Sequence, residues 1–168
     1  KESNPCPFIK SISVKSLDYS YAGSDQLVIK DVNLEIPKGS SLGIIGPSGS
    51  GKSTLMDVLM GLLNPQKGQV LVDNVDISID PLGWREHIGY VPQTIFLTDD
   101  SLRRNIAFGL DDSVIDERRV YDALEKAQLA AFVADLDQGL DTVFGERGVR
   151  LSGGQRQRIG IARALYHN

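Results

Sequence analysis

Cys6 is the only cysteine in the chain, so neither an internal disulfide nor a cysteine-ligated metal site can form. That scarcity suits a reducing compartment. The chain also lacks any apolar run near the ~20 residues that a membrane-spanning helix requires. Its opening, KESNPCPFIK, has no initiator Met and no apolar core like that of a signal peptide. With its two prolines this stretch is expected to be a linker, residues 1–10, continuing a longer chain. Positive charge is short as well. Lys and Arg number 18 against 22 Asp and Glu, a net charge of −4 whose field repels nucleic-acid backbones, so no nucleic-acid partner is expected. Internal repeats and low-complexity tracts are missing too. What remains is ordinary globular composition, 41% hydrophobic and 24% charged over 168 residues, enough for one domain with a real core.

Apolar alternation opens the chain. Ile12 and Val14 share one phase and Leu17, Tyr19 and Tyr21 the other, and the slip between them predicts a bulged strand. Val32, Leu34 and Ile36 alternate again, and Pro37-Lys38-Gly39 closes that strand as a turn. Leu42, Gly43, Ile44 and Ile45 form a short apolar run, the pattern of a strand covered on both faces. Leu55, Val58, Leu59 and Leu62 fall at i, i+3, i+4 and i+7, which predicts a helix stopped by Asn64-Pro65 and Gly68. Val70–Val72 reads as a further strand. Past IGYVPQ the pattern turns helical, with Val120, Ala123, Leu124, Ala127 and Phe132 outlining one longer helix. The expected fold class is α/β.

Gly46 to Ser53, GPSGSGKS, matches G-x-x-x-x-G-K-[ST]. Gly46, Gly49 and Gly51 let the backbone turn where a Cβ would clash, and with Pro47, Ser48 and Ser50 they aim successive N–H groups at an anion. A helix starting near Gly51 adds its positive dipole end. Lys52 supplies a point charge for the β- and γ-phosphates, Ser53 a hydroxyl for Mg²⁺, and Thr54 a second hydroxyl for phosphate. A chance match in a chain this long is on the order of one in two hundred. This one also lies between an apolar run and an amphipathic helix, as the motif requires. Phosphate binding follows, with nucleotide kinases, GTPases and motor or transport ATPases all open.

Near the C-terminus, Ser152 can cap a helix whose first turn is Gly153-Gly154-Gln155, leaving N–H groups free for an anion. Arg156 and Arg158 add positive potential, within a local cluster that also holds Arg147, Arg150 and Arg163. An ordinary capped helix, with Ile159, Ala162 and Tyr166 as its buried stripe, accounts for the same residues. Here a resemblance enters. LSGGQ at Leu151–Gln155, followed by RQRIGIARAL, resembles the signature motif of the ATP-binding cassette (ABC) ATPases. GYVPQ, ending in Gln93, resembles that family's Q-loop, and TVFGERG at Thr142–Gly148 the loop preceding the signature in ABC exporters. LDYSYAG resembles the adenine-stacking region, with Tyr21 at the aromatic position and Tyr19 its rival across the bulge. The order is the family's from about Ile12 to Asn168.

The resemblance implies a P-loop NTPase core with an N-terminal antiparallel β subdomain and a helical subdomain, incomplete at the C-terminus. Its parts would be 11–92 (β subdomain and P-loop core), 93–151 (Q-loop and helical subdomain) and 152–168 (signature helix returning to the core). ATP and Mg²⁺ would bind. Ser152, Gly153, Gly154 and Gln155 would contact the γ-phosphate held on the Gly46–Thr54 loop of a second nucleotide-binding domain, in a homodimer. Gln93 would reach Mg²⁺ and the attacking water, Lys52 would act on the phosphates, and Tyr21 would stack on adenine. Glu146 and Arg147 would lie near a transmembrane domain, at the cytoplasmic face of a bacterial inner membrane.

Hydrolysis in the family needs an apolar strand ending in Asp-Glu after the signature helix, and the chain reaches Asn168 without one. Val70-Leu71-Val72-Asp73 imitates that pattern, but Asn74 follows and a hairpin turn explains the pair as well. His87 and His167 do not occupy the family's switch position. By this resemblance the 168-residue chain alone is expected to be inactive, and the full-length parent an ATPase. Exporter or flippase is the expected type, and DDSLRRNIAFG is similar to the same tract in bacterial lipid-linked oligosaccharide flippases. An importer ATPase subunit, a soluble ABC ATPase acting on nucleic acid or ribosomes, and a nucleotide-binding module without turnover are the alternatives.

Overall fold

The computed structural model describes residues 8–145 and 150–167. They fall into two compact units, divided between Ile88 and Gly89. Glu146 and Arg147 lie outside the described residues.

The first unit is built on an antiparallel sheet of β1 (Ser11–Tyr19), β2 (Ile29–Pro37), β3 (Lys67–Val72) and β4 (Val75–Asp76), in the order β2-β1-β3-β4. The bulge expected in β1 is present: the register with β2 shifts between Val14 and Leu17, where Ser16 adopts φ 46°. Gly68 makes room for it. Its φ is 80°, and a Cβ there would run into the carbonyl oxygens of Lys15 and Ser16. The bulge turns Val14, Leu17 and Tyr19 all inward, so one strand feeds the core from both phases. Asp73 and Asn74, at φ 50° and 70°, form the two-residue turn between β3 and β4, which pair Val72 with Val75. The turn reading of that pair therefore holds.

Helix α1 (Lys52–Leu59) lays Val58 and Leu59 in the same apolar cluster as Val14, Leu17, Val70 and Trp84. It is shorter than its periodicity predicts. Met60 is the C-cap and Gly61 takes φ 67°, ending the helix before Asn64, and Leu62 is exposed. Gly61 competes successfully because a left-handed residue satisfies the last carbonyls. A short helix α2 (Pro81–Arg85) is capped by Asp80, and Trp84 donates its indole N–H to Leu59 O at 2.8 Å.

The strand expected at Leu42–Ile45 is not formed, nor is one seen before Pro92. Ile45 is 97% exposed. A parallel strand exists only by hydrogen bonding to lateral neighbours, and no described strand runs beside either segment.

In the second unit, β5 (Asp100–Ser101) pairs with β6 (Val143–Phe144), and α3 (Leu102–Ile106), α4 (Glu117–Lys126), α5 (Ala130–Ala134) and α6 (Gly153–Tyr166) surround one core. Leu102, Ile106, Val120, Leu124, Phe144 and Ile159 are among its most enclosed members. The single long helix expected through Phe132 is two helices. Gln128 takes φ 59° after α4, and a left-handed residue cannot continue a right-handed helix. Asp116 caps α4 by accepting from the Arg118 and Arg119 amides. In α6 the buried positions are Ile159, Gly160, Ala162 and Tyr166, which contains the stripe its spacing predicts.

Candidate nucleotide site

The site residues fall in both units. In the first unit, the loop from Gly46 leads straight into α1. Gly49 and Gly51 adopt φ 80° and 87°, the left-handed region that their lack of a Cβ permits. At Gly51 a Cβ would stand 2.9 Å from Val28 O, so no other residue fits without a shift. Ser50 N closes the turn on Pro47 O at 3.3 Å. Gly51 caps α1 without a side-chain hydrogen bond, leaving first-turn amides for an external anion. Ser48 and Ser53 are exposed along the same loop and first turn.

Lys52 turns back on the loop, its Nζ donating to Gly46 O at 2.8 Å and Pro47 O at 2.7 Å. Those carbonyls solvate the ammonium group in place, beside the turn where an anion is expected. The bonds are exposed and exchangeable, so the lysine can pass to a phosphate.

Thr54 is buried, and its Oγ1 lies 2.9 Å from the Tyr21 hydroxyl. Tyr21 is 47% exposed, whereas Tyr19 is 7% exposed and belongs to the core. The two rings meet edge to face at 5.2 Å and 86°. Tyr19 thus backs Tyr21 and leaves it as the accessible ring next to α1. The residues present fit a nucleotide: an amide-lined turn, a cation, hydroxyls and an aromatic face.

Asp73, the acid that mimics a Mg²⁺ ligand, is committed elsewhere. Its carboxylate accepts from the amides of Ile9, Lys10 and Ser11, which hold its pKa below the usual carboxylate range.

In the second unit, α6 begins with a capping box. Ser152 Oγ accepts from Gln155 N at 3.2 Å and Gln155 Oε1 accepts from Ser152 N at 2.8 Å. Gly153 and Gly154 are exposed, and a Cβ at either would meet nothing within 4 Å. These glycines relieve no internal clash; their bareness leaves the helix start open to a close approach from outside. Gln93 is exposed in a bend after Pro92. His167 is a surface residue whose pKa is lowered, mainly by partial burial. Arg163 was placed by the sequence only in a basic cluster. Its contacts with Phe96, Asn105 and Phe108 join segments far apart in the chain, which no local pattern signals.

A glycine turn running into a helix, with lysine and hydroxyls at its start, defines a P-loop nucleotide-binding protein. The comparisons narrow that class. The ABC transporter family profile matches residues 29–168, and the chain belongs to that family. It is 44% identical over 164 residues to the leukotoxin translocation ATP-binding protein LktB of Mannheimia haemolytica, covering 96% of this chain and 23% of LktB. It is 41% identical over 159 residues to ABC transporter B family member 1 of Dictyostelium discoideum, covering 94% of this chain and 17% of that protein. Among solved structures it superposes on an ATP-bound bacterial Atm1-family ABC exporter with TM-score 0.81 and 38% identity, over 95% of this chain and 28% of the exporter. The chain thus spans about a fifth of the length of these relatives. Its fold is that of the ATP-binding domain of an ABC exporter. No helix among the described residues is long and apolar enough to cross a membrane.

Proposed function

We propose that this chain is the ATP-binding domain that powers a membrane exporter or flippase, working as one of a pair. The observation that carries this reading is the exposed Tyr21 ring hydrogen-bonded to Thr54 at the start of the P-loop helix. Aromatic face and phosphate loop are thereby held together, as a purine nucleotide needs. Tyr21 stacks on adenine. The amides from Gly46 through Pro47, Ser48, Gly49, Ser50 and Gly51, with Lys52 and Thr54, hold the phosphates. Ser53 and Gln93 are the Mg²⁺ ligands, and Gln93 also orients water. Bound Mg²⁺ supplies charge neutralisation on the phosphate oxygens. Ser152, Gly153, Gly154 and Gln155 present the α6 amides to nucleotide held by a second copy of the domain.

Catalysis in such a site is positioning and electrostatics rather than covalent protein chemistry. The chain alone binds nucleotide without turning it over, because the acid that best imitates a Mg²⁺ ligand, Asp73, is tied to backbone amides. Turnover belongs to the whole protein. A transmembrane domain is its partner, at the cytoplasmic face of a bacterial inner membrane, and 1–10 is the linker to it. Exporters among the relatives favour this over an importer subunit or a soluble nucleic-acid ATPase. The domain powers transport without choosing cargo.

Calorimetric titration with Mg²⁺-ATP tests the reading. Binding that vanishes in Lys52→Ala supports it, and binding that survives that substitution unchanged overturns it.

A further inference from the structure

Arg163, on α6, is partly buried and takes part in no ion pair among the described residues. A cation removed from water without an acid is unfavourable, so its other contacts matter. Its Nε donates to Asn105 O at 2.8 Å and a terminal nitrogen donates to Phe96 O at 3.1 Å. The guanidinium also lies 4.9 Å from the centre of the Phe108 ring. One side chain therefore holds the segment following Gln93, the end of α3 and Phe108, two residues beyond it. Only arginine's planar fork reaches two carbonyls on separate segments while stacking on a ring.

The residue before Phe96 is seated on the same helix. Ile95 is buried against the bare backbone of Gly160, where a Cβ would run into the Ile95 side chain. Ile95 and Phe96 are thus pinned at successive points of α6, one by shape and one by hydrogen bonding. Gln93 lies just upstream on that pinned segment, and the Ser152 turn opens the same helix.

We propose that Arg163 is a positioning residue for ATP turnover: it ties the Gln93 segment to the signature helix, so that Gln93 and the Ser152 turn move as one body. This rests on the ABC ATPase reading. Without the tie, Gln93 would shift independently of α6. An ångström-scale misplacement of such a group lowers the rate by about 10²-fold at most, while the P-loop still binds nucleotide.

The test uses the whole protein that carries this chain, with Arg163→Lys and Arg163→Met. Three quantities are read: ATP affinity without turnover, kcat, and hydrogen exchange of the 94–97 amides. In Arg163→Lys, kcat should fall about tenfold with affinity within about twofold, and the 94–97 amides should exchange faster. Wild-type kcat in Arg163→Lys overturns the proposal. So does unchanged exchange at 94–97, or a fall in kcat that only mirrors lost folded protein. If Arg163→Met does not fold, the lysine variant decides. If wild-type protein neither binds nor hydrolyses ATP, the ABC ATPase reading has failed, and the proposal, which rests on it, is overturned too.

Discussion

The Tyr21 hydroxyl and Thr54 Oγ1 lie 2.9 Å apart, linking the segment after the first strand to the helix that follows the glycine loop. Tyr21→Ala should weaken ATP binding by roughly tenfold, the scale of base stacking on an aromatic ring. Tyr21→Phe keeps the ring and should lose much less. Tyr19→Ala should instead destabilise the first unit by about 3 kcal/mol, since that ring is core. Calorimetry with ATP and thermal melts separate the two tyrosines, and equal effects on binding would contradict the assignment.

Gly51→Ala should be the most damaging single change in the loop. A left-handed backbone costs a residue with a Cβ about 1–2 kcal/mol, and Val28 O stands in the way. Gly46→Ala should be milder, because its Cβ would meet the Ser50 Oγ, which can rotate aside. Comparing tripolyphosphate affinity for the two variants checks the order.

Trp84 is the only tryptophan, buried in the first unit with its indole bonded to the last turn of α1. Its fluorescence should therefore report unfolding of that unit. Saturating Mg²⁺-ATP at about 100 times Kd should add about 2.7 kcal/mol by linkage. Lys52→Ala should abolish that gain, and an unchanged gain would argue against a P-loop ligand.

Ser152→Ala removes one half of the capping box and should destabilise α6 by about 1 kcal/mol. On the proposed pairing of domains it should also impair ATP-dependent dimerisation while leaving nucleotide binding by the single domain intact. Analytical ultracentrifugation with and without ATP reads this out. Dimerisation equal to wild type would count against the shared site.

Asp73 gives the first unit an acid sensitivity. Its pKa is lowered in the fold by the Ile9, Ser11 and Lys10 amides, so its contribution is complete above the ordinary carboxylate pKa. It is lost as pH falls through the lowered value, when the carboxylate takes up a proton. Asp73→Ala should lower the melting temperature at neutral pH and flatten its decline in acid. A decline as steep as wild type would assign the acid sensitivity to another group.

Several features were legible because they are local. The Gly46–Ser53 turn, the Ser152–Gln155 cap, the bulge in the first strand and the Asp73-Asn74 turn each depend on residues close in sequence. Helix ends were less legible. Apolar spacing carried the stripe on to Leu62 and Phe132, while a left-handed Gly61 and Gln128 stopped each helix sooner. Leu42–Ile45 reads as a strand by composition, yet a strand is a relation between neighbours, and composition names no neighbour.

By itself, then, the sequence determined the chemistry of phosphate binding and the family, since both reside in short motifs whose backbone geometry is set by glycine and by caps. Tertiary structure alone set the tyrosines apart, burying Tyr19 and leaving Tyr21 exposed. It also tied Asp73 to the amides of Lys10 and Ser11 and brought Arg163 to the Gln93 segment. Those outcomes depend on burial and on contacts between segments distant in the chain, which only packing brings together.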